Sequence, residues 1–262
     1  WTMAQSGAVV QRLERGLALG ADPSTALAGL LAQELPSSSG VPVFACGLNG
    51  AASVPLPCPA FDAARIRTKL PGLWLLPDLV QANPAERVPA GAALRIAGCL
   101  AASPGFDGAI CLTGPQSFWA HVSAGEVVSV MSALSGEVFV ALSESPWLAP
   151  ALAHHSGAML DLQAFDAELP QAMSRPERLL RTLSGVRALA PAIARARVQA
   201  ALIGAELAAA RPWWLGRQVL VLGGHAAIYT RALVAQGVAA TTADAEAALL
   251  AGLELAAREI LP

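Results

Sequence analysis

The sequence predicts an α/β fold, because short runs of apolar β-forming residues alternate with longer segments whose apolar residues recur at helical spacing. The alternation is clearest near the C-terminus, where the apolar strand Gln218–Leu222 runs through Gly223-Gly224 into a helical pattern over Ala226–Ala235. Hydrophobic residues make up 55% of the 262 positions, which is enough for one large or two medium domains with buried cores. Charged residues make up only 14%, and so sparse a charged surface allows an oligomer interface such as that of a homodimer.

The N-terminal part is predicted to consist of short strands and two helices. In order, these elements are a strand and turn in Gly7–Gly16, a helix from Asp22-Pro23-Ser24 to Glu34, a strand at Val41–Cys46, a glycine-rich turn at Gly47–Gly50, a strand at Leu73–Leu76 and a helix over Gly91–Ala102. Ser103-Pro104-Gly105 has the composition of a linker, so we expect a boundary between a domain of residues 1–104 and a domain of residues 105–262.

The second part opens with three strands joined by tight turns. They are Ala109–Leu112, Phe118–Ser123 and Val127–Val130, and the turns between them are Thr113-Gly114-Pro115 and Ala124-Gly125. A helix is predicted to begin near Ser135-Gly136-Glu137, and such turns at a helix start suit an anion such as phosphate. An ordinary hairpin that feeds a helix is the alternative interpretation of the same pattern.

The remaining elements are mostly helical. They are helices over Asp161–Met173, Pro176–Leu189 and Ala192–Ala210, the strand and helix around Gly223-Gly224, a strand at Val238–Thr242 and a last helix over Ala245–Glu259. Ala200, Gly204, Ala205 and Ala208 give the Ala192–Ala210 helix a small-residue face for close packing. Gly223-Gly224 follows a strand, at the end where open α/β sheets bind ligands, so it is a second candidate site.

Composition excludes several classes of function. A net charge of −2 provides no field for nucleic acid or anionic lipid. No apolar run reaches the length of about 18–20 residues that spans a membrane, and no leader-like segment is present, so we expect a cytoplasmic protein. The four cysteines and four histidines lack metal-ligand spacing, so no metal site is predicted from protein ligands. The glycine fingerprints of Rossmann and Walker sites and the nucleophile elbow are absent as well.

Several segments taken together resemble one known family. They are ALIGAELAAARPWW (Ala201–Trp214), VLVLGG (Val219–Gly224), YTRAL (Tyr229–Leu233), EAALLAGLELAAR (Glu246–Arg258), SALSGEVF (Ser132–Phe139) and the hairpin positions Leu112, Gly114, Ser117 and Trp119. The chain is similar over nearly its whole length to the 2-keto-3-deoxygalactonate kinases (2-dehydro-3-deoxygalactonokinases), which belong to the actin-like, sugar-kinase and Hsp70 superfamily. The resemblance implies two ribonuclease-H-like domains around a cleft, the first on the sugar-acid side and the second on the nucleotide side.

The resemblance also implies a reaction, in which ATP with Mg²⁺ phosphorylates the terminal hydroxyl of 2-keto-3-deoxygalactonate. It assigns phosphate and Mg²⁺ to Gly114, Ser117, Ser135, Gly136 and Glu137, and the adenosine to Gly223 and Gly224. It places Asn49 and Gly50 beside the sugar acid. Arg95, one turn along from a lost family arginine, is the candidate substitute for that arginine, so Glu137 and Arg95 are the candidate catalytic residues.

Departures from the family pattern favour a rival function. Pro115, Gln116 and Phe118 replace a threonine, a histidine and a lysine, and Pro89–Ala93 replaces Met-Arg-Gly-Glu-Glu. The family's opening phosphate-binding strand is not found in the given sequence, and whether residues upstream of Trp1 supply it is left open. Because phosphoryl transfer depends on positioned charge, weak activity on this sugar acid is one expectation. A re-shaped pocket for another acid sugar is a second. An inactive relative that binds a sugar acid or nucleotide, or that forms a dimer, is a third.

Overall fold

The structure, a computed structural model, describes residues 2–3, 9–12, 22–34, 42–48, 50–70, 72–152 and 160–260. The chain divides into two compact units, Trp1–Gly105 together with Glu246–Pro262, and Phe106–Ala245. The first segment of unit 1 ends at Gly105, the last residue of the predicted linker. Residues 246–262 also belong to the first unit, whereas the sequence analysis placed them in the second domain. Among the described helices, none combines the length and the hydropathy needed to cross a bilayer.

The first unit is built from short strands and two N-terminal helices. The strands are β1 (Thr2–Met3), β2 (Val9–Gln11), β3 (Val43–Ala45), β4 (Ser53–Pro55), β5 (Cys58–Pro59), β6 (Arg67–Leu70), β7 (Leu73–Leu75), β8 (Asp78–Gln81) and β9 (Glu86–Val88), and the helices are α1 (Pro23–Glu34) and α2 (Ala90–Ala102). Eight of these strands, all except β5, form a β1–β2 pair and two small sheets with the orders β3-β7-β6 and β4-β8-β9. Asp22 caps α1 as predicted, since its carboxylate accepts a hydrogen bond from the Thr25 N–H at 2.8 Å.

The second unit contains longer elements. Its strands are β10 (Gly108–Thr113), β11 (Ser117–Ser123), β12 (Glu126–Ala133), β13 (Val219–Gly223) and β14 (Ala240–Ala243). Its helices are α3 (Ser135–Glu144), α4 (Ala149–Leu152), α5 (Leu162–Ser174), α6 (Leu179–Gly185), α7 (Pro191–Ala209), α8 (Arg211–Trp214) and α9 (Ala226–Val234). The closing helix α10 (Ala245–Ile260) follows β14.

These five strands lie side by side in the order β14-β13-β10-β11-β12. Strands β10, β11 and β12 form an antiparallel meander, whereas β13 runs parallel to β10 and β14 runs parallel to β13. Ala124 and Gly125 both have positive φ (51° and 81°), as expected for the tight turn between β11 and β12. Because β10 and β13 are parallel, their carboxyl ends meet at one edge of the sheet.

Helix α7 packs against α5 as closely as its small residues predict. A Cβ atom on Gly204 would lie only 2.5 Å from the Cβ atom of Ala172 on α5. Leu207 of α7, Phe165 of α5 and Trp119 of β11 are fully buried in the same apolar cluster. The predicted small-residue face of α7 is therefore confirmed.

Two glycines explain why α10 belongs to the first unit. A Cβ atom on Gly98 of α2 would lie 1.9 Å from the Ala248 carbonyl oxygen of α10. In the reverse direction, a Cβ atom on Gly252 would lie 2.2 Å from the Leu94 carbonyl oxygen. The two backbones touch, and the contact is lined by the buried Leu94 and Leu249.

The α/β class and most element positions are confirmed, with small shifts at the boundaries. Strand β12 continues to Ala133 rather than Val130, and β14 begins at Ala240 rather than Val238. Cys58, Cys99 and Cys111 are buried free thiols, whereas the free thiol of Cys46 is exposed. Residue Asn49 lies outside the described residues.

Candidate functional site

Thr113, the last residue of β10, joins the ends of β10 and β13. It is paired with Gly223 in the parallel register, and its hydroxyl donates a hydrogen bond to the Leu222 carbonyl at 2.9 Å. The same hydroxyl accepts a hydrogen bond from the His225 N–H at 3.2 Å. Gly223 has φ +105°, and a Cβ atom there would lie 2.0 Å from the Thr113 carbonyl oxygen. Only glycine fits this position, so the Gly223-Gly224 turn lies directly against the β10 end.

The start of α3 packs on the turn that follows Thr113. A Cβ atom on Gly136 would lie 2.1 Å from the Gly114 carbonyl oxygen, and the Glu137 N–H donates to the Pro115 carbonyl at 2.7 Å. One N–H group of the first helical turn is therefore used within the protein. The hairpin turn, the α3 start and the Gly223-Gly224 turn are consequently contiguous at the carboxyl edge of the sheet. We call this region the sheet-edge site.

The sheet-edge site brings together six of the residues that the sequence singled out: Gly114, Ser135, Gly136, Glu137, Gly223 and Gly224. Glu137 and Gly224 are exposed there, so both are accessible to a ligand. Glu137 also lies in the first turn of α3, where its negative charge is favourable for the helix dipole.

Ser117 differs from its predicted role. It is 1% exposed, and its hydroxyl donates to the Oε1 atom of Glu206 at 2.7 Å. The Ser117 hydroxyl oxygen also lies 3.3 Å from the Ala133 carbonyl oxygen, so both of its partners are within the protein and Ser117 does not present a donor on the exposed side of the turn. Phe118, the next residue of β11, is buried as well.

Glu206 of α7 is a buried charged residue beneath the sheet-edge site that the sequence analysis did not identify. It is 4% exposed, and its Oε1 atom accepts a hydrogen bond from Trp119 Nε1 at 2.8 Å in addition to the one from Ser117. Its Oε2 atom accepts a hydrogen bond from the Tyr229 hydroxyl at 2.7 Å. A single acidic residue on the apolar, small-residue face of a helix was the signal that could have identified it.

The Glu206 carboxylate connects the core of the second unit to the sheet-edge site. Burying a carboxylate costs free energy unless donors satisfy it, and three donors do so here. The Tyr229 hydroxyl that binds Glu206 also forms a hydrogen bond with the Ser135 side chain. Because Ser135 is the first residue of α3, Tyr229 connects the Glu206 carboxylate to the helix start.

The environment of Tyr229 keeps its hydroxyl protonated. Burial raises the pKa of Tyr229 far above its ordinary value, and the nearby charge of Glu206 raises it further. The hydrogen bond from Ser135 acts in the opposite direction but is outweighed. Tyr229 therefore remains a donor to Glu206 throughout the physiological range.

The free energy of unfolding is expected to fall above pH 10 because of Tyr229. An unfolded tyrosine loses its proton near pH 10, whereas the raised pKa keeps folded Tyr229 protonated. The stabilisation is thus fully present below pH 10 and is lost as the pH rises above it, by up to about 1.4 kcal/mol per pH unit. Urea unfolding at pH 9, 10 and 11 measures this slope in the wild type and in Tyr229→Phe. The buried thiols contribute to both proteins, so equal slopes in the two would contradict the prediction.

In the first unit, Asp78 holds the start of α2. It is buried, and its Oδ1 atom accepts a hydrogen bond from the Ala90 N–H at 2.8 Å. Its Oδ2 atom accepts from Arg87 Nε at 2.7 Å. Asp78 was not predicted as a site residue, because the sequence shows only a turn after a strand. Its bond to the Ala90 N–H therefore caps the first turn of α2.

Three of the candidate site residues, Gly50, Arg95 and Asn49, belong to the first unit. Gly50 is exposed with φ +97°. The Arg95 Nη1 atom donates to the Gly91 carbonyl oxygen at 2.9 Å, one turn back along its own helix. Asn49 lies outside the described residues.

Metal chemistry at the sheet-edge site would depend on few protein ligands. In the part of the chain that the structure describes, no three His, Cys, Asp or Glu residues cluster as a metal site would require. Mg²⁺ that accompanies a nucleotide needs only one or two carboxylates, because phosphates and waters supply its other ligands. The exposed carboxylate of Glu137 beside the Gly114 turn fits that requirement.

Comparisons with known proteins agree on one family. The sequence profile of the family described as 2-keto-3-deoxy-galactonokinase matches residues 1–256. The probable 2-dehydro-3-deoxygalactonokinase DgoK1 of Rhizobium meliloti (strain 1021) is 27% identical over 287 residues, which cover 100% of this chain and 94% of that protein. A crystal structure of a Sinorhizobium meliloti protein named for 2-dehydro-3-deoxygalactonokinase superposes with a TM-score of 0.85 at 26% identity, and covers 100% of this chain and 93% of that one.

Proposed function

The chain belongs to the 2-keto-3-deoxy-galactonokinase family, and from this membership we propose that it is a carbohydrate kinase. In the proposed reaction, ATP phosphorylates the terminal hydroxyl of a 2-keto-3-deoxy sugar acid, with Mg²⁺ as the accompanying ion. A cytoplasmic location, where ATP is available, is part of the proposal.

The observation that carries the proposal is the contiguity of three segments at the sheet edge. Gly223 lies against Thr113, and Gly136 lies against Gly114. Both contacts are so short that neither Gly223 nor Gly136 could carry a side chain. Segments separated by more than a hundred residues in sequence therefore expose backbone at one place, as recognition of a polyanionic nucleotide requires.

The proposed roles follow the positions of these residues. Gly114, Ser135 and Gly136 would border the phosphates, and Gly223 and Gly224 would border the adenosine. Glu137 would hold Mg²⁺, which when bound would neutralise charge on the transferring phosphoryl group. For Ser117, the buried hydroxyl supports a positioning role beneath the turn rather than a contact with phosphate.

We also propose that the two units are ribonuclease-H-like domains that bind their substrates in a cleft. The strand order of the second unit supports a ribonuclease-H-like fold on the nucleotide side. Strands β10, β11 and β12 form an antiparallel meander, and β13 and β14 run parallel to β10. The first unit would then take the sugar acid, with Asn49 and Gly50 beside it and Arg95 supplying a positive charge.

A second candidate function is a binding or dimer-forming protein without turnover. Three observations favour it: proline removes a backbone donor from the turn at Pro115, the Glu137 N–H is already used by the Pro115 carbonyl, and buried Phe118 offers no cation. These losses reduce the charge stabilisation on which phosphoryl transfer depends.

A comparison of two glutamates on one helix tests the kinase proposal. Calorimetric titration with MgATP would measure binding, and an assay of ADP release with the sugar acid would measure turnover. We expect Glu137→Gln to reduce kcat by about 10²-fold, in the range found when one charge-stabilising group is lost. Glu144→Gln, at the exposed C-terminal end of α3, is the matched control and should retain wild-type kcat.

Each outcome distinguishes the candidates. Turnover that Glu137→Gln impairs and Glu144→Gln preserves supports the kinase, and chelation of Mg²⁺ with EDTA should then abolish it. Saturable MgATP binding without ADP release supports the binding protein. Equal kcat in both variants would contradict the role of Glu137.

A further inference from the structure

A cavity of about 320 Å³ lies within the second unit, away from the sheet-edge site. It is formed by α5, α6, α7 and the turn between α5 and α6. Its polar lining consists of Glu168, Gln171, Arg175, Arg178, Arg181, Thr182 and Arg197, and we call it the arginine cavity. None of the sheet-edge residues lines it.

The charge of the arginine cavity is strongly positive. Its one lining carboxylate, Glu168, is neutralised by Arg197, whose Nη2 atom lies 2.7 Å from the Glu168 Oε2 atom. Arg175, Arg178 and Arg181 have no ion pair or ring contact within the described ranges. Glu177 lies in the same turn but does not line the cavity. Three positive charges are therefore uncompensated around one small space.

Several other arginines of this unit contact a charged or aromatic partner. Arg187 stacks over the Trp147 ring at 3.8 Å, and Arg195 lies 4.8 Å from the centroid of the Phe139 ring. Arg231 forms an ion pair with Asp166. Arg175, Arg178 and Arg181 are exposed, so solvent screens their mutual repulsion, and their guanidinium groups remain available to donate to an anion.

We propose that the arginine cavity binds a small metabolite that carries a phosphate group. The planar guanidinium of arginine donates two parallel hydrogen bonds to phosphate oxygens, and several arginines together fit a multiply charged anion. Thr182 and Gln171 add neutral hydrogen-bonding groups, while Ala172, Val186 and Ala201 form an apolar wall for a carbon skeleton. A volume of about 320 Å³ admits a molecule of sugar-phosphate size, and the overall charge of −2 argues against a nucleic acid.

Occupancy would couple the cavity to α7. Arg197 and Ala201 of α7 line the cavity, and the same helix carries Glu206, which holds the start of α3 through Tyr229. A ligand that bridges α5, α6 and α7 therefore stabilises the helix on which the sheet-edge site depends. The proposal concerns a site separate from the kinase reaction and does not depend on it.

Calorimetry and thermal unfolding at 150 mM KCl test the proposal with three probes: inorganic phosphate, pyrophosphate and 6-phosphogluconate. We expect saturable binding to the full-length wild-type protein and a rise in Tm. Arg178→Gln and Arg181→Gln should each weaken binding by about tenfold or more, because each removes a charge-assisted contact. Arg211→Gln, an exposed arginine of the same unit away from the cavity, is the matched control and should bind as the wild type does.

The variants separate this site from any phosphate binding at the sheet edge. Circular dichroism and Tm without ligand verify that each variant is folded. Tighter binding of 6-phosphogluconate than of inorganic phosphate would identify a phosphorylated sugar acid as the ligand class, and the reverse order would identify free phosphate. Affinities that are unchanged in Arg178→Gln and Arg181→Gln, or the absence of saturable binding to the wild type, would overturn the proposal.

Discussion

Replacing Glu206 with alanine is expected to lower the free energy of unfolding by about 4 kcal/mol. The substitution leaves the buried donors of Trp119 and Tyr229 without their acceptor and leaves the Ser117 hydroxyl only the Ala133 carbonyl oxygen at 3.3 Å. Each unsatisfied buried donor costs about 1–3 kcal/mol. It also leaves space in a cluster whose neighbours are fully buried. Urea unfolding followed by tryptophan fluorescence and circular dichroism measures the loss.

Two variants serve as controls for Glu206→Ala. Glu206→Gln retains the shape and one acceptor oxygen, so we expect a smaller loss of about 2 kcal/mol. Glu144→Ala removes an exposed glutamate of the same unit and should change stability by no more than about 0.5 kcal/mol. If Glu206→Ala were as stable as Glu144→Ala, the carboxylate would not be holding these elements together.

Substitution of Glu206 should also weaken ligand binding at the sheet-edge site. Without its acceptor, Tyr229 no longer holds Ser135 at the start of α3, so the helix start becomes less well positioned. In Glu206→Gln, which is expected to fold, MgATP affinity should therefore fall even under conditions where the protein is fully native. An unchanged affinity in that variant would confine Glu206 to a purely structural role.

Gly223→Ala is expected to be destabilising by about 3 kcal/mol, whereas Gly224→Ala should change stability by less than about 0.5 kcal/mol. The two glycines are neighbours in one turn, but their surroundings are opposite. A Cβ atom on Gly223 would lie 2.0 Å from the Thr113 carbonyl oxygen at φ +105°, so alanine forces the ends of β10 and β13 apart. A Cβ atom on Gly224 meets nothing within 4 Å.

Gly223→Ala and Gly224→Ala together distinguish an effect on packing from an effect on ligand binding. Gly224→Ala should fold normally, so a rise in its KM for ATP would reflect the added methyl group against the bound nucleotide. Thermal unfolding and initial-rate kinetics on both variants provide the two readouts. Equal stability of Gly223→Ala and Gly224→Ala would contradict the close contact with Thr113. An unchanged KM in Gly224→Ala would contradict the proposed position of the adenosine.

The sequence by itself determined the local elements and the family. The hairpin at 108–133 and the helix from Ser135 follow from β-forming runs, glycine turns and helical periodicity, because these depend on residues close together in the chain. Motifs such as VLVLGG were sufficient to indicate the family, which the comparisons confirm. Glycine at 136 and 223 was also informative, since a close approach of backbones leaves room for no other residue.

Tertiary structure alone decided which side chains those elements bring together. Ser117 and Glu206 are 89 residues apart, so no local pattern reveals that the serine hydroxyl points inward to a buried carboxylate. Likewise, one cavity is lined by Arg175, Arg178, Arg181 and Arg197 only because α6 and α7 pack together. Helix α10 joined the first unit because Gly98 and Gly252 allow two backbones to touch. Propensity and periodicity report the neighbours of a residue along the chain, whereas burial, charge pairing and site geometry depend on neighbours in space.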